Sequence, residues 1–275
     1  MSVNFTRAAV LAGGLVALLA GCAEAQGRQQ WVDLAARVAA APDGEVRMHF
    51  TSRPGICGNV EGDNVMIGRT GERGRTWQGT TDGRARREID CIEGPAYVRL
   101  RVRGARVSEV SARVARDFAA ARGRVTDLGR VPAREAASYL LALAEGADGK
   151  VGEDAIFPVT LADSLDTSRE LLRIARSDVA RDATRRSAVF WVGQQGGEEV
   201  TKGLAALVDD DSQSRELRES AVFSLSQRSR DESVPELIRI ARTHRDGHIR
   251  RSALFWLGQS GDPRARALLE EMVTN

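Results

Sequence analysis

The stretch RRSAVFWVGQQ at residues 185–195 returns almost unchanged as RRSALFWLGQS at residues 250–260. A third copy, RESAVFSLSQR, lies between them at 218–228. Aligning Ser187, Ser220 and Ser252 gives spacings of 33 and 32 residues. A period of that size marks stacked supersecondary units, because one helical hairpin cannot bury its apolar face alone. Each unit reads as two helices. The first carries Ala188, Val189, Trp191 and Val192, or Ala253, Leu254, Trp256 and Leu257. It ends near Gly193 or Gly258, where glycine suits a helix C-terminus. The second runs VTKGLAALV, VPELIRIAR or RARALLEEMV, with apolar residues at helical spacing. Upstream, AREAASYLLALAEGADG and DTSRELLRIARSD read as a divergent capping repeat. A longer connecting loop containing EDAIFPVTLADS is expected between them.

The unit DGHIRRSALFWLGQSGDPRARALLEEM resembles the short bacterial HEAT-like repeats, including those of the phycobilisome-lyase type. The residues that carry the resemblance are Asp in the turn, Arg-x-x-Ala opening the first helix, Leu-Gly closing it, Gly-Asp-Pro in the turn and Leu-Leu in the second helix. It covers about residues 166–275. It implies a right-handed α-solenoid whose usual work is binding other proteins, and it carries no catalytic residue over to this chain.

The N-terminus, MSVNFTRAAVLAGGLVALLAGCAEAQ, reads as an address. One charge, Arg7, precedes an apolar run from Ala8 to Ala20, too short to span a bilayer comfortably. Leu19-Ala20-Gly21-Cys22 resembles the bacterial lipoprotein box, which implies cleavage before Cys22 and its lipidation. Ordinary export, with cleavage after Ala25, is the competing reading. Ala23 in place of Asp favours the outer membrane over the inner. In an oxidising compartment the two remaining cysteines, Cys57 and Cys91, form an even pair. A disulfide closing that loop of about 35 residues stabilises by roughly 3–4 kcal/mol in the loop-entropy model. A redox or nucleophilic cysteine is the weaker rival, for want of a Cys-x-x-Cys spacing or a nearby base.

Between address and repeats lies a smaller unit. Trp31, Leu34, Ala35 and Val38 mark one face of a short helix stopped by Pro42 and Gly44. Val46, Met48 and Phe50 alternate with Arg47, His49 and Thr51, a half-buried strand with His49 facing solvent. Residues 53–85 have little periodicity, with 65–69 and 75–78 as weak strand candidates. Val98, Leu100 and Val102 then alternate with Arg99, Arg101 and Arg103. Gly104-Ala105 offers a turn, and a parity break near Ser108-Glu109 predicts a bulge. The whole reads as a small antiparallel α+β domain. Its row of Arg99, Arg101 and Arg103 is either a solvated strand face or a surface for an anionic partner, such as lipid headgroups, peptidoglycan or acidic protein.

The fold class expected is therefore mainly α. Residues 1–21 are a lipoprotein signal and 22–43 a tether with a short helix. Residues 44–130 are a small disulfide-stapled α+β domain, and 131–275 a C-terminal α-solenoid of HEAT-like helical hairpins. Formal net charge is +2 over 275 residues, against a dedicated nucleic-acid binder. Residues 44–130 hold 17 arginines against 11 acids, while 131–275 hold 20 basic residues against 24 acids, so the two units present different surfaces.

No nucleophile elbow, phosphate-binding glycine loop or zinc signature occurs. His244 and His248 have the spacing of a helical metal pair, but the repeat register puts both in a solvated turn. No cofactor, metal or small-molecule substrate is expected. Trp191 and Trp256 are candidate partner-binding residues, either inter-repeat core or accessible surface. Arg186, Arg218, Arg250 and Arg251 stand at helix starts where the dipole opposes a cation. Inter-repeat ion pairs are expected to hold them, with Asp182 four residues before Arg186 and Asp246 four before Arg250, and an anion-binding site is the rival reading. Gln194, Gln227 and Gln259 are expected to form a hydrogen-bonded ladder between repeats. The function expected is a non-enzymatic, periplasm-facing envelope lipoprotein whose solenoid binds a protein partner. The alternative is an exported hydrolase or lyase with its site in 44–130 or in the cleft between the two units.

Overall fold

The computed structural model describes residues 34–59, 65–67, 91–118, 123–163 and 165–274. The signal at 1–21, Cys22, Trp31 and the strand candidate at 75–78 lie outside the described residues. A helical segment, α1 (34–39), buries Leu34 and Val38. Seven strands follow among the described residues: β1 (Gly44–Phe50), β2 (Ile56–Asn59), β3 (Val65–Ile67), β4 (Cys91–Ile92), β5 (Ala96–Arg103), β6 (Arg106–Val114) and β7 (Val125–Arg130). They form two sheets, ordered β6-β5-β1-β7 and β3-β2-β4.

The alternating residues behave as alternation requires: Val46, Met48, Phe50, Val98 and Leu100 are fully buried. The register moves from Arg101 opposite Glu109 to Val102 opposite Val107. Ser108 is therefore the extra residue of a bulge, where the parity break predicts one. Gly104 and Ala105 both have positive φ, 55° and 59°, as a two-residue hairpin turn of matching twist needs. One expectation gives way. The larger sheet is mixed rather than antiparallel, because β7 runs parallel to β1. Residues VTDLGR show little alternation, and this edge strand has no fully buried residue, so nothing in its sequence advertised it.

The helices are α2 (Ala133–Gly146), α3 (Lys150–Val159), α4 (Ser168–Ala175), α5 (Asp182–Gly193), α6 (Glu198–Asp209), α7 (Arg215–Ser226), α8 (Arg230–Thr243), α9 (Gly247–Ser260) and α10 (Pro263–Thr274). The stretch expected as a long connecting loop is in fact helix α3. Asp154 and Phe157 stand 33 residues before Ser187 and Phe190, so α3 is a further rung in register. Pro158 fills the Trp slot and obscures the match. Helices α3, α5, α7 and α9 pack side by side as one layer, and α4, α6, α8 and α10 form the second.

Helix α3 also packs on β6, so the array rests directly on the sheet. The boundary at 130–131 is accordingly no gap in the core. One apolar cluster runs from Leu34 through the strands to Leu268. The Val131 N–H donates to the His49 carbonyl at 2.9 Å, and Arg53 and Asp163 exchange backbone bonds with Leu161 and Thr51 at 2.9 and 3.0 Å.

Candidate functional site

The first-layer helices present a regular outer stripe. Residues four apart lie on one helix face, which groups Arg186 and Phe190 on α5 with Gln194 at its C-cap. The same spacing groups Glu219 and Phe223 on α7 with Gln227 at its C-cap, and Arg251, Phe255 and Gln259 on α9. Arg186, Gln194, Gln227, Arg251 and Gln259 are exposed, and Phe190 and Phe255 remain 38% and 58% accessible. The middle of this face is a row of rings. Phe157 meets Trp191 at 4.7 Å between centroids, and Trp191 meets Phe190 edge-on at 5.0 Å. Phe190 stacks parallel to Phe223 at 6.4 Å, and Phe223 meets Trp256 at 5.0 Å. Trp256 meets Phe255 edge-on at 5.0 Å. These spacings are those of favourable aromatic pairs. Trp191 and Trp256 are half-buried, each filling the seam beside the Phe of the preceding rung. They are neither wholly core nor wholly surface.

The middle rung lacks its Trp for a packing reason. Ser224 is only 1% exposed. A Cβ placed on Gly193 would stand 2.8 Å from the Ser224 Cβ, so α5 and α7 approach closely where both side chains are small. A Trp at 224 has no room there.

The inter-rung ties differ from those expected. The row that works in register is Arg185, Arg218 and Arg250. Arg185 donates to the Ala175 carbonyl at 3.1 Å, to Asp182 at 3.4 Å and to Gln213. Arg218 donates to Asp211 at 3.3 Å and to Asp246, one rung on, at 3.2 Å. Arg250 donates to the His244 and Arg245 carbonyls. Asp182 therefore serves Arg185, not Arg186, and Asp246 serves Arg218, not Arg250. Arg186 has no hydrogen bond or ion pair with another described residue, and Arg251 meets only His248 Nδ1. Asp246 also caps α9 by accepting from the His248 N–H. That bond, then Arg215 and Arg218, holds its carboxyl below the usual carboxylate range.

The glutamine ladder is likewise corrected: Gln194, Gln227 and Gln259 point outward, and no hydrogen bond joins one to another among the described residues. The buried polar ties are Gln195 and Arg228. Gln195 accepts from Ser168 at 2.6 Å and donates to Thr167 at 2.8 Å. Arg228 donates to the carbonyls of Gln195 and Gly197 and pairs with Glu232 at 2.9 Å. His244 is not in a solvated turn. It is 6% exposed, accepts at Nδ1 from the Asp246 N–H, and places Nε2 3.1 Å from the Val208 carbonyl. Sequence reasoning missed Gln195 and Arg228 because each is one residue past the alignable Gln.

On the sheet, Arg101 pairs with Glu109 at 3.3 Å, and in register it lies between Glu109 and Glu45. Arg99 is half-buried and Arg103 exposed. Within the row only Arg101 is flanked by acids: Arg99 lies in register between Arg47 and Ser111, and Arg103 opposite Arg106. His49 departs from its expected solvent-facing place: its ring packs on Tyr97 and Phe118 at 5.3 and 6.4 Å, and its Nδ1 is buried without a hydrogen-bond partner among the described residues. Cys57 lies on β2, 1% exposed, and Cys91 on the neighbouring strand β4, opposite Asn59. No group of three or more metal-ligating side chains occurs among the described residues.

A family model for HEAT repeats matches residues 204–275, the last two hairpins of the array with part of α6. A comparison with curated proteins found no match.

Proposed function

We propose that the array is a protein-docking scaffold on an envelope lipoprotein, and that its partner lies across the stripe of α5, α7 and α9. HEAT repeats generally mediate protein–protein contacts, which is compatible with a scaffold role. The observation that carries the choice of face is the continuous aromatic row with Phe190 and Phe255 left accessible. Exposed aromatic anchors rimmed by Arg and amide side chains have the composition of binding hot spots. The anchor in this reading is the lipidated Cys22, and Cys57 pairs with Cys91 across β2 and β4. No described helix is long and apolar enough to cross a membrane.

The test is site-specific photo-crosslinking in intact cells. A photoreactive phenylalanine at position 190 or 255 is expected to trap one discrete species. The same group at Lys202, exposed on the second layer, is expected to trap none. Equal trapping at both places, or none at 190 and 255, overturns the docking face. Fatty-acid labelling that persists in Cys22→Ser overturns the anchor. Intact mass unchanged by reduction overturns the disulfide.

A further inference from the structure

A cleft of about 650 Å³ opens at one end of the sheet, away from the aromatic stripe. Four separate segments meet there: the link from β1 to β2, residues 93–95 before β5, the end of β7, and Asp163 after α3. The walls are tied to one another. Ser52 donates its hydroxyl to the Gly94 carbonyl at 2.6 Å, and Ser52 bridges Ala162 in antiparallel fashion. Cβ atoms added to Gly58 and Gly94 would collide with the carbonyls of Val114 and Ala115 at 1.7 and 2.3 Å. Strand β2 and the 93–95 wall are thus held by backbone contact that any larger residue would break. The space is formed before any ligand arrives, which lowers the ordering cost of binding.

Its lining is mixed. Phe50, Ile56, Pro54 and Pro95 provide an apolar body, while Arg53, Arg130, Glu93 and Asp163 bring charge. Arg130 donates to the Thr51 hydroxyl at 3.0 Å. No ion pair joins any two of the four charged side chains, and the Arg53 guanidinium has no hydrogen bond to a described residue. Arg53 is half-buried, and that desolvation draws its guanidinium below its usual range. A partly desolvated cation with its forked donors unused is costly to keep without an anion.

We propose that this cleft binds a small ligand bearing a single oxyanion, a carboxylate or a phosphate, held by Arg53 with Arg130 beside it, with the ligand's apolar body on Pro54, Ile56 and Pro95. The planar fork of arginine fits either oxyanion in two-point fashion. Glu93 and Asp163 leave the lining neutral overall, which disfavours polyanions and selects one compact negative group.

The full-length chain is titrated with 3-phenylpropionate, phenyl phosphate and, as the neutral control, 3-phenylpropanol. The amide signals of Gly55 and Gly94 are followed by nuclear magnetic resonance. At least one anion is expected to shift both signals saturably while the alcohol does not. Which anion binds tells carboxylate from phosphate. Arg53→Gln is expected to weaken that binding roughly tenfold, the loss of about one charge-assisted hydrogen bond. Arg53→Lys, which keeps the charge without the fork, is expected to fall between, and it serves if Arg53→Gln fails to fold. The proposal is overturned by an absence of saturation with either anion, by an equal response to the alcohol, or by Arg53→Gln or Arg53→Lys binding as the wild type does.

Discussion

Gly193 and Gly258 occupy the same slot in two near-identical helices, yet the structure predicts opposite responses to alanine. At Gly258 an added Cβ would meet nothing within 4 Å. Ala there gains helix propensity, about 0.5–1 kcal/mol, and removes backbone entropy from the unfolded chain. At Gly193 the same Cβ would stand 2.8 Å from the Ser224 Cβ and 3.3 Å from its Cα. Those atoms sit at the root of the α7 side chain and cannot swing away. The helices must part, and overpacking of that kind costs about 1–3 kcal/mol. Gly193 is also the last residue of α5, so its propensity gain is the smaller of the two. Gly193→Ala should therefore lower stability by about 1 kcal/mol, while Gly258→Ala raises it.

The assay is thermal unfolding followed by helical circular dichroism. For a chain of this size about 1 kcal/mol moves the midpoint by about 2–4 °C, so the two variants should separate on opposite sides of the wild type. A third arm makes the cause specific. Gly193→Ala in a Ser224→Gly background, where the opposing Cβ is gone, should recover about 1 kcal/mol of coupling. If both single variants raise the midpoint equally, α5 and α7 do not approach closely at these residues, and the reason given for the missing Trp of the middle rung fails with it.

The register of the arginine row can be tested by comparing neighbours. Arg218→Ala should cost roughly 2 kcal/mol by urea denaturation, since its charge-assisted bonds to Asp246 and Asp211 are partly buried, whereas Arg186→Ala should stay within about 0.5 kcal/mol. Equal losses would restore the register expected from sequence. Gln227→Leu should leave the unfolding midpoint within about 0.5 kcal/mol of wild type while weakening crosslinking through position 190; a large midpoint shift would mean that the glutamines tie the rungs after all. Asp262 is held at about 2, first by a hydrogen bond from the Arg264 side chain and then by the Arg264 N–H. Its contribution should be fully present above the unfolded carboxylate range near about 3.9 and be lost as pH falls through about 2. The difference in urea midpoint between wild type and Asp262→Asn should thus be flat from about pH 7 to 5 and shrink below about pH 4. A difference that persists at the acid limit would refute the assignment.

The rungs α5, α7 and α9 were legible because the residues that pack one rung on the next are local to each helix and recur at the period of the stack. Rung α3 obeys the same geometry but was read as loop. Pro158 replaces the Trp, Thr160 replaces the Gly, Asp154 replaces the Ser, and only the apolar positions Ala155, Ile156, Phe157 and Val159 keep the pattern. Polar residues fared worse than apolar ones for a physical reason. An apolar side chain is placed by helical phase alone, whereas a long arginine reaches its partner through a flexible stem. One residue of phase then separates the buried Arg218 tie from the outward Glu219 stripe. For the same reason the glutamines, which repeat as faithfully as the alanines, turned out to face outward. Repetition specifies a position on the rung, and only the phase says whether that position faces the next rung or the solvent. The cleft was illegible in principle. Arg53, Glu93, Arg130 and Asp163 are brought together by β7 lying parallel to β1 and by the turn after α3 bonding back to Thr51, and neither pairing has a local signal. A charge with no local partner in the sequence is unremarkable. It becomes a binding candidate only when the fold places it, unpaired, against an apolar wall.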